Sequence, residues 1–148
     1  MTLTPLSDDA IVIGATVADW RAAVHAAGAA LVASGVSLPG YSDEMVRMIE
    51  EHGPYVVIAP GLAFAHARPG DQVLRTGLAV VTLASPVSFG HPHNDPVRVV
   101  LALAVESVGA HLESIADVAN VFNDSTVIPR LAAATTPDEI RAIMGASA

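Results

Sequence analysis

The chain of 148 residues has no cysteine. Disulfides, thiolate metal centres and a cysteine nucleophile are thereby excluded. Positive charge is sparse as well: seven Lys and Arg stand against fifteen Asp and Glu, for a formal net charge of −8. Covering a phosphate backbone takes clustered cations, so a nucleic-acid surface is excluded as a class. No apolar run approaches the roughly 20 residues that a membrane-spanning helix needs. The opening MTLTPLSDDA carries two aspartates and no basic residue, unlike a secretory signal, and a cytoplasmic location is the expectation. Also missing are a GxxxxGKS or GxxxxGKT phosphate loop, a dinucleotide-type glycine pattern and a GxSxG nucleophile elbow. Ser85, Ser88 and Ser107 have no orienting acid that the sequence nominates for a hydrolytic triad.

What is present is apolar material. Hydrophobic residues make up 52% of the chain and charged ones 15%, enough for the core of one domain spanning 1–148. The segment Thr16 to Gly35 reads as a helix, with Thr16 and Asp19 as a capping box and Trp20, Val24, Ala27 and Leu31 on one face. After GVSLPGY, Ser42 is the expected cap of a second helix that ends near Gly53. YVVIA (55–59), GLAVVTL (77–83) and VRVVLALAV (97–105) are nearly continuous apolar runs, the pattern of strands covered on both faces. The Pro- and Gly-rich stretches between them read as loops. Helical spacing returns from His111 through Phe122, again around Thr126 to Ala134, and after TPDE, where Thr136 can cap and Pro137 start a last helix. The expected fold is α/β, a three-layer sandwich with a mixed β-sheet flanked by helices on both faces.

Six histidines carry the available chemistry. His25 lies on a helix flank and His52 at a helix end, where a cationic ring suits the dipole. His66 differs, because GLAFAHARPG surrounds it with small residues that leave room for another molecule, with Arg68 two residues on to hold an anion. His111 follows a buried-type strand and stands at the start of a helix, where free N–H groups and the dipole favour phosphate and keep an imidazole neutral. Only an unprotonated ring nitrogen has a lone pair to attack phosphorus. Two histidines and an arginine can therefore form a phosphoryl site without metal or other cofactor. His91 and His93, in HPH, invite a metal reading with Asp95 and His66 or His111, against a solvated rim loop as the plainer account.

The segments GPYVVIAPGLAFAHARPGD (53–71), TLASPVSFGH followed by NDPVRVVLALA (82–104), and HLESIADVANVF (111–122) resemble the enzyme IIA domains of the bacterial phosphoenolpyruvate-dependent sugar phosphotransferase system. The likeness is to the mannitol/fructose class and, within it, the ascorbate-type branch, and it covers nearly the whole chain. It implies that His66 accepts a phosphoryl group from the histidine phosphocarrier protein and passes it to a cysteine of a separate enzyme IIB. It also implies that His111 assists, and that the membrane enzyme IIC associates only indirectly. One departure is visible: FGHPHNDP has a Pro and a second His where acidic residues are expected. Arg68 is the expected anion contact, Asp95 the expected orienter of a histidine, and Leu62, Phe64, Val87 and Phe89 an expected apolar rim for docking. Two rivals stand beside this reading. One is a regulatory domain that signals by phosphorylation-dependent binding; the other is a metal hydrolase using His66, His91, His93 and His111.

Overall fold

The computed structural model describes residues 5–148, and for residues 110–114 the backbone alone. A five-stranded sheet runs through the middle: β1 (Ile11–Ala15), β2 (Val57–Ala59), β3 (Leu62–His66), β4 (Gly77–Val87) and β5 (Val97–Ala104), in the spatial order β1-β4-β5-β3-β2. β1 pairs parallel to β4 and β3 parallel to β5, while β4–β5 and β2–β3 are antiparallel. The sheet is mixed, as expected. Helices α1 (Trp20–Ala33) and α2 (Gly40–His52) cover one face; α3 (Val108–Val121), α4 (Val127–Ala133) and α5 (Pro137–Met144) contribute to the core on the other.

The alternation of side chains along a strand divides the core in two. Ala63, Ala65, Ala67, Ala79, Ala102 and Ala104 face the α1–α2 layer, and Leu62, Phe64, Leu78, Leu101 and Leu103 face the other. Small residues on one side let α1 lie close to the sheet and to α2. Gly28 marks that approach: a Cβ there would collide with the Ser42 Oγ. This is why Ser42, expected as a cap, lies buried inside α2, which starts two residues earlier at Gly40.

Other boundaries differ for local reasons. α1 starts at Trp20 because the Asp19 carboxylate accepts from the Ala22 N–H at 2.9 Å, so Asp19 itself is the cap and Thr16 stands outside the helix. α2 does end at Gly53, whose φ of 82° suits glycine. Thr136 caps α5 by accepting from the Glu139 N–H. Two strands escaped the sequence reading. β1 precedes every α-helix, so the sheet takes its first strand ahead of α1. β3 occupies the segment read as a loop around His66, because its alanines, weak strand formers by propensity, are held by two neighbouring strands and the helix layer.

Gly28→Ala tests the close crossing. Overpacking of this kind should lower the free energy of unfolding by about 1–3 kcal/mol in urea denaturation. Adding Ser42→Ala, which removes the nearest atom, should restore part of the loss.

Candidate functional site

β3 delivers His66 at its last residue, opposite Leu103 of β5. The ring is half-buried and follows the parity of Leu62 and Phe64, toward the α3–α5 layer. Its Nδ1 lies 3.1 Å from the Phe64 carbonyl oxygen. A carbonyl can only accept, so Nδ1 carries the proton and donates, and the lone pair of the neutral ring resides on Nε2. The Phe64 carbonyl is itself steadied, since the N–H of the same residue donates to the Val56 carbonyl at 2.7 Å. Tyr55 and Phe64 meet the imidazole edge-on, with ring centroids 6.0 and 5.7 Å away. Partial burial pushes the Tyr55 phenol above its ordinary pKa, so it stays neutral beside the ring.

The strand end is anchored from the opposite layer. Tyr41 of α2 is fully buried, and its hydroxyl accepts from the Ala67 N–H at 3.0 Å and donates to the Leu103 carbonyl at 2.7 Å. Burial, offset in part by this bonding, pushes its pKa up to about 12. Nothing in the sequence singled Tyr41 out: its partners lie 26 and 62 residues away.

A cavity of about 460 Å³ opens beside His66, lined also by Met48, Ala67, Arg68, Pro69 and Val108. Arg68 is exposed, and among the described residues its guanidinium has no hydrogen bond or ion pair, so it borders the cavity as an uncompensated cation. Val108, 70% exposed, is the first residue of α3, so this helix starts at the cavity and not three residues later as expected. His111 is thus in the first turn; its side chain lies outside the described residues. A second cavity, about 590 Å³, lies past the other end of β3, around Gly61, Arg98 and Ile128, and no histidine lines it.

Among the described residues the HPH segment is a solvent-facing turn held by its own hydrogen bonds. The Asp95 carboxylate accepts from the N–H groups of Phe89, Gly90 and His91 at 2.7–3.0 Å and from the Ser88 hydroxyl. His91 Nδ1 accepts from the N–H groups of His93 and Asn94. Among the described residues Asp95 orders backbone and orients no histidine ring, which departs from the expectation. Asn94 joins this turn to the Val57 carbonyl and the Gly61 N–H, at the end of β3 remote from His66. Among the described residues no three His, Asp or Glu side chains gather to hold a metal. The expected docking rim is corrected too: Leu62, Phe64 and Phe89 are buried in the core and Val87 is half-buried. The apolar surface near His66 comes from Val108, Tyr55 and Met48.

The family described as "Phosphoenolpyruvate-dependent sugar phosphotransferase system, EIIA 2" matches residues 4–146. The ascorbate-specific PTS system EIIA component of Shigella boydii serotype 4 (strain Sb227) is 40% identical over 122 residues, covering 82% of this chain and 79% of that protein. Its namesake in Escherichia coli (strain K12) is 39% identical over the same shares. The crystal structure of IIA mannitol from Escherichia coli matches with a TM-score of 0.83 at 28% identity, over 94% of this chain and 98% of that one. The structure of a complex of enzyme IIAMTL and phosphorylated enzyme IIBMTL from Escherichia coli matches with a TM-score of 0.85 at 28% identity, over 97% and 99%.

Asp95 offers a test of the turn. Partial burial raises its pKa, but the N–H groups of Phe89, Gly90 and His91 and the Ser88 hydroxyl outweigh this and hold it below the usual 3.8. A depressed carboxylate stabilises the fold above its ordinary pKa and loses that contribution as pH falls through the lower value. Amide-exchange protection at Phe89, Gly90 and His91 should therefore persist down to pH 3.8 and fade below it. In Asp95→Ala, protection at these amides should drop about tenfold or more at neutral pH.

Proposed function

The chain belongs to the EIIA 2 family of the phosphoenolpyruvate-dependent sugar phosphotransferase system, and from that premise we propose that His66 is the residue that carries the phosphoryl group. The observation that supports this is the Nδ1–H donation to the Phe64 carbonyl, which leaves the lone pair of the neutral ring on Nε2. On loading, Nε2 attacks phosphorus of the phosphorylated histidine carrier protein. The donor's N–P bond breaks, and its electron pair returns to the donor's imidazole. On unloading, the thiolate of an enzyme IIB cysteine attacks the same phosphorus, and the N–P bond breaks toward His66. Each step is an exchange of one bond to phosphorus for another, so it needs positioning and charge stabilisation more than a cofactor.

Arg68 and the N-terminal turn of α3 supply positive potential for the phosphoryl oxygens, and His111 in that turn assists. The apolar patch of Val108, Tyr55 and Met48 receives each partner in turn, over an area suited to transient contact. The substrate class transported is ascorbate or a related sugar, by likeness to the ascorbate-specific relatives. Specificity for it belongs to the membrane enzyme IIC, which this chain meets only through IIB. Residues 1–148 act as one IIA domain in the cytoplasm, where the donor is; among the described residues no helix is long and apolar enough to cross a membrane.

Intact-mass spectrometry after incubation with phosphoenolpyruvate, enzyme I and the histidine carrier tests the assignment. Wild type should gain one acid-labile phosphoryl group, and His66→Ala none. His111→Ala should load roughly a hundredfold more slowly, and Arg68→Ala less severely. Wild type that stays unmodified beside a competent donor would overturn the reading. Loaded wild type that cannot discharge to a IIB cysteine would leave a regulatory, binding-only role. Discharge to IIB should proceed unchanged after treatment with a chelator.

A further inference from the structure

Behind His66, two backbone anchors bracket a stretch of four residues. At its start the Phe64 N–H donates to the Val56 carbonyl, and at its end the Ala67 N–H donates to the Tyr41 hydroxyl. His66 lies between them with its ring returned onto the Phe64 carbonyl. The length of that ring contact depends on the backbone at both ends, because an imidazole reaching its own i−2 carbonyl has two side-chain torsions and little slack.

The Tyr41 hydroxyl suits this place for a reason of chemistry. Leu103, which accepts from it, is the residue paired with His66 across the β3–β5 ladder. At this last rung the hydroxyl accepts from one strand and donates to the other at the same time, which among core-forming side chains takes a group that is both donor and acceptor. It comes from the α1–α2 layer, while the His66 ring follows the face of Leu62 and Phe64. Its bonds are therefore to the backbone behind the ring. Burial keeps the phenol protonated far above neutral pH, so the donor half of the arrangement is present throughout the working range.

We propose that Tyr41 is a positioning residue for His66: its hydroxyl fixes the end of β3 so that the imidazole stays in the Nδ1-protonated tautomer with the lone pair on Nε2. The consequence for phosphoryl transfer rests on the reading of His66 as the carrier; the consequence for the tautomer does not.

The experiment compares wild type, Tyr41→Phe and Leu131→Ala, the last a large-to-small change at a fully buried site in the other core. Nitrogen-15 NMR of the histidine ring in unphosphorylated protein reads the tautomer, single-turnover loading across a pH series reads the rate, and thermal melting reads stability. Wild type should show a single Nδ1–H tautomer. Tyr41→Phe should populate both tautomers and load about ten- to a hundredfold more slowly, with an altered pH profile. Leu131→Ala should lose stability while keeping the wild-type tautomer and rate. An unchanged tautomer and rate in Tyr41→Phe overturns the proposal, as does a Leu131→Ala variant that shifts both equally. Should Tyr41→Phe not fold, the Ala67 amide of wild type decides: exchange as slow as the β5 interior supports the anchor, and exchange as fast as the Arg68 amide overturns it. If wild type does not load at all, the carrier reading fails, and the tautomer comparison still stands on its own.

Discussion

A buried phenol hydroxyl ends the β3–β5 ladder, and the site depends on where that ladder ends. Parallel strands pair through slanted, evenly spaced bonds and could run on until the chain turns away. Here Leu103 continues into Ala104 while β3 stops at His66. The Tyr41 hydroxyl takes the Ala67 N–H and the Leu103 carbonyl together, so neither polar group is buried without a partner. The strand can then leave the sheet one residue after His66, carrying Ala67, Arg68 and Pro69 around the cavity.

That anchoring works because the two faces of the sheet are unequal. A wall of alanines on the α1–α2 side brings the helices close enough for a phenol to reach backbone through the sheet's end. Leu and Phe fill the other side, and the cavity at the strand end is bordered by Val108 of α3 and Met48 of α2. The same economy of bulk explains Gly28 against Ser42 and Gly77 against Val36, where a Cβ would collide with its neighbour.

Legibility in the sequence followed the range of the interactions. His66 stood out because its neighbours are small, and Arg68 because it is two residues away; both border one cavity. The caps at Gly53 and Thr136 are local, and the sequence shows both. The mixed sheet and its helical layers followed from apolar runs and helical spacing. β3 was not read as a strand because alanine says little about β structure by itself; pairing with β2 and β5 decides it. Tyr41 and Asp95 were misjudged or missed because their roles are hydrogen bonds to backbone groups that only the fold brings near. Asp95 looked like a histidine's partner and is the hub of its own turn.

The contact between the His66 ring and the Phe64 carbonyl has a further consequence, concerning reversibility. With His66 as the proposed carrier, a ring that donates from Nδ1 keeps that proton whether or not Nε2 is occupied. Loading and unloading then change nothing on the strand side of the imidazole. No proton has to be expelled into the core or recovered from it, and no refolding of the strand end need accompany either handover. On that reading the ring is back in its starting state once discharged, and the direction of flow is left to its two partners.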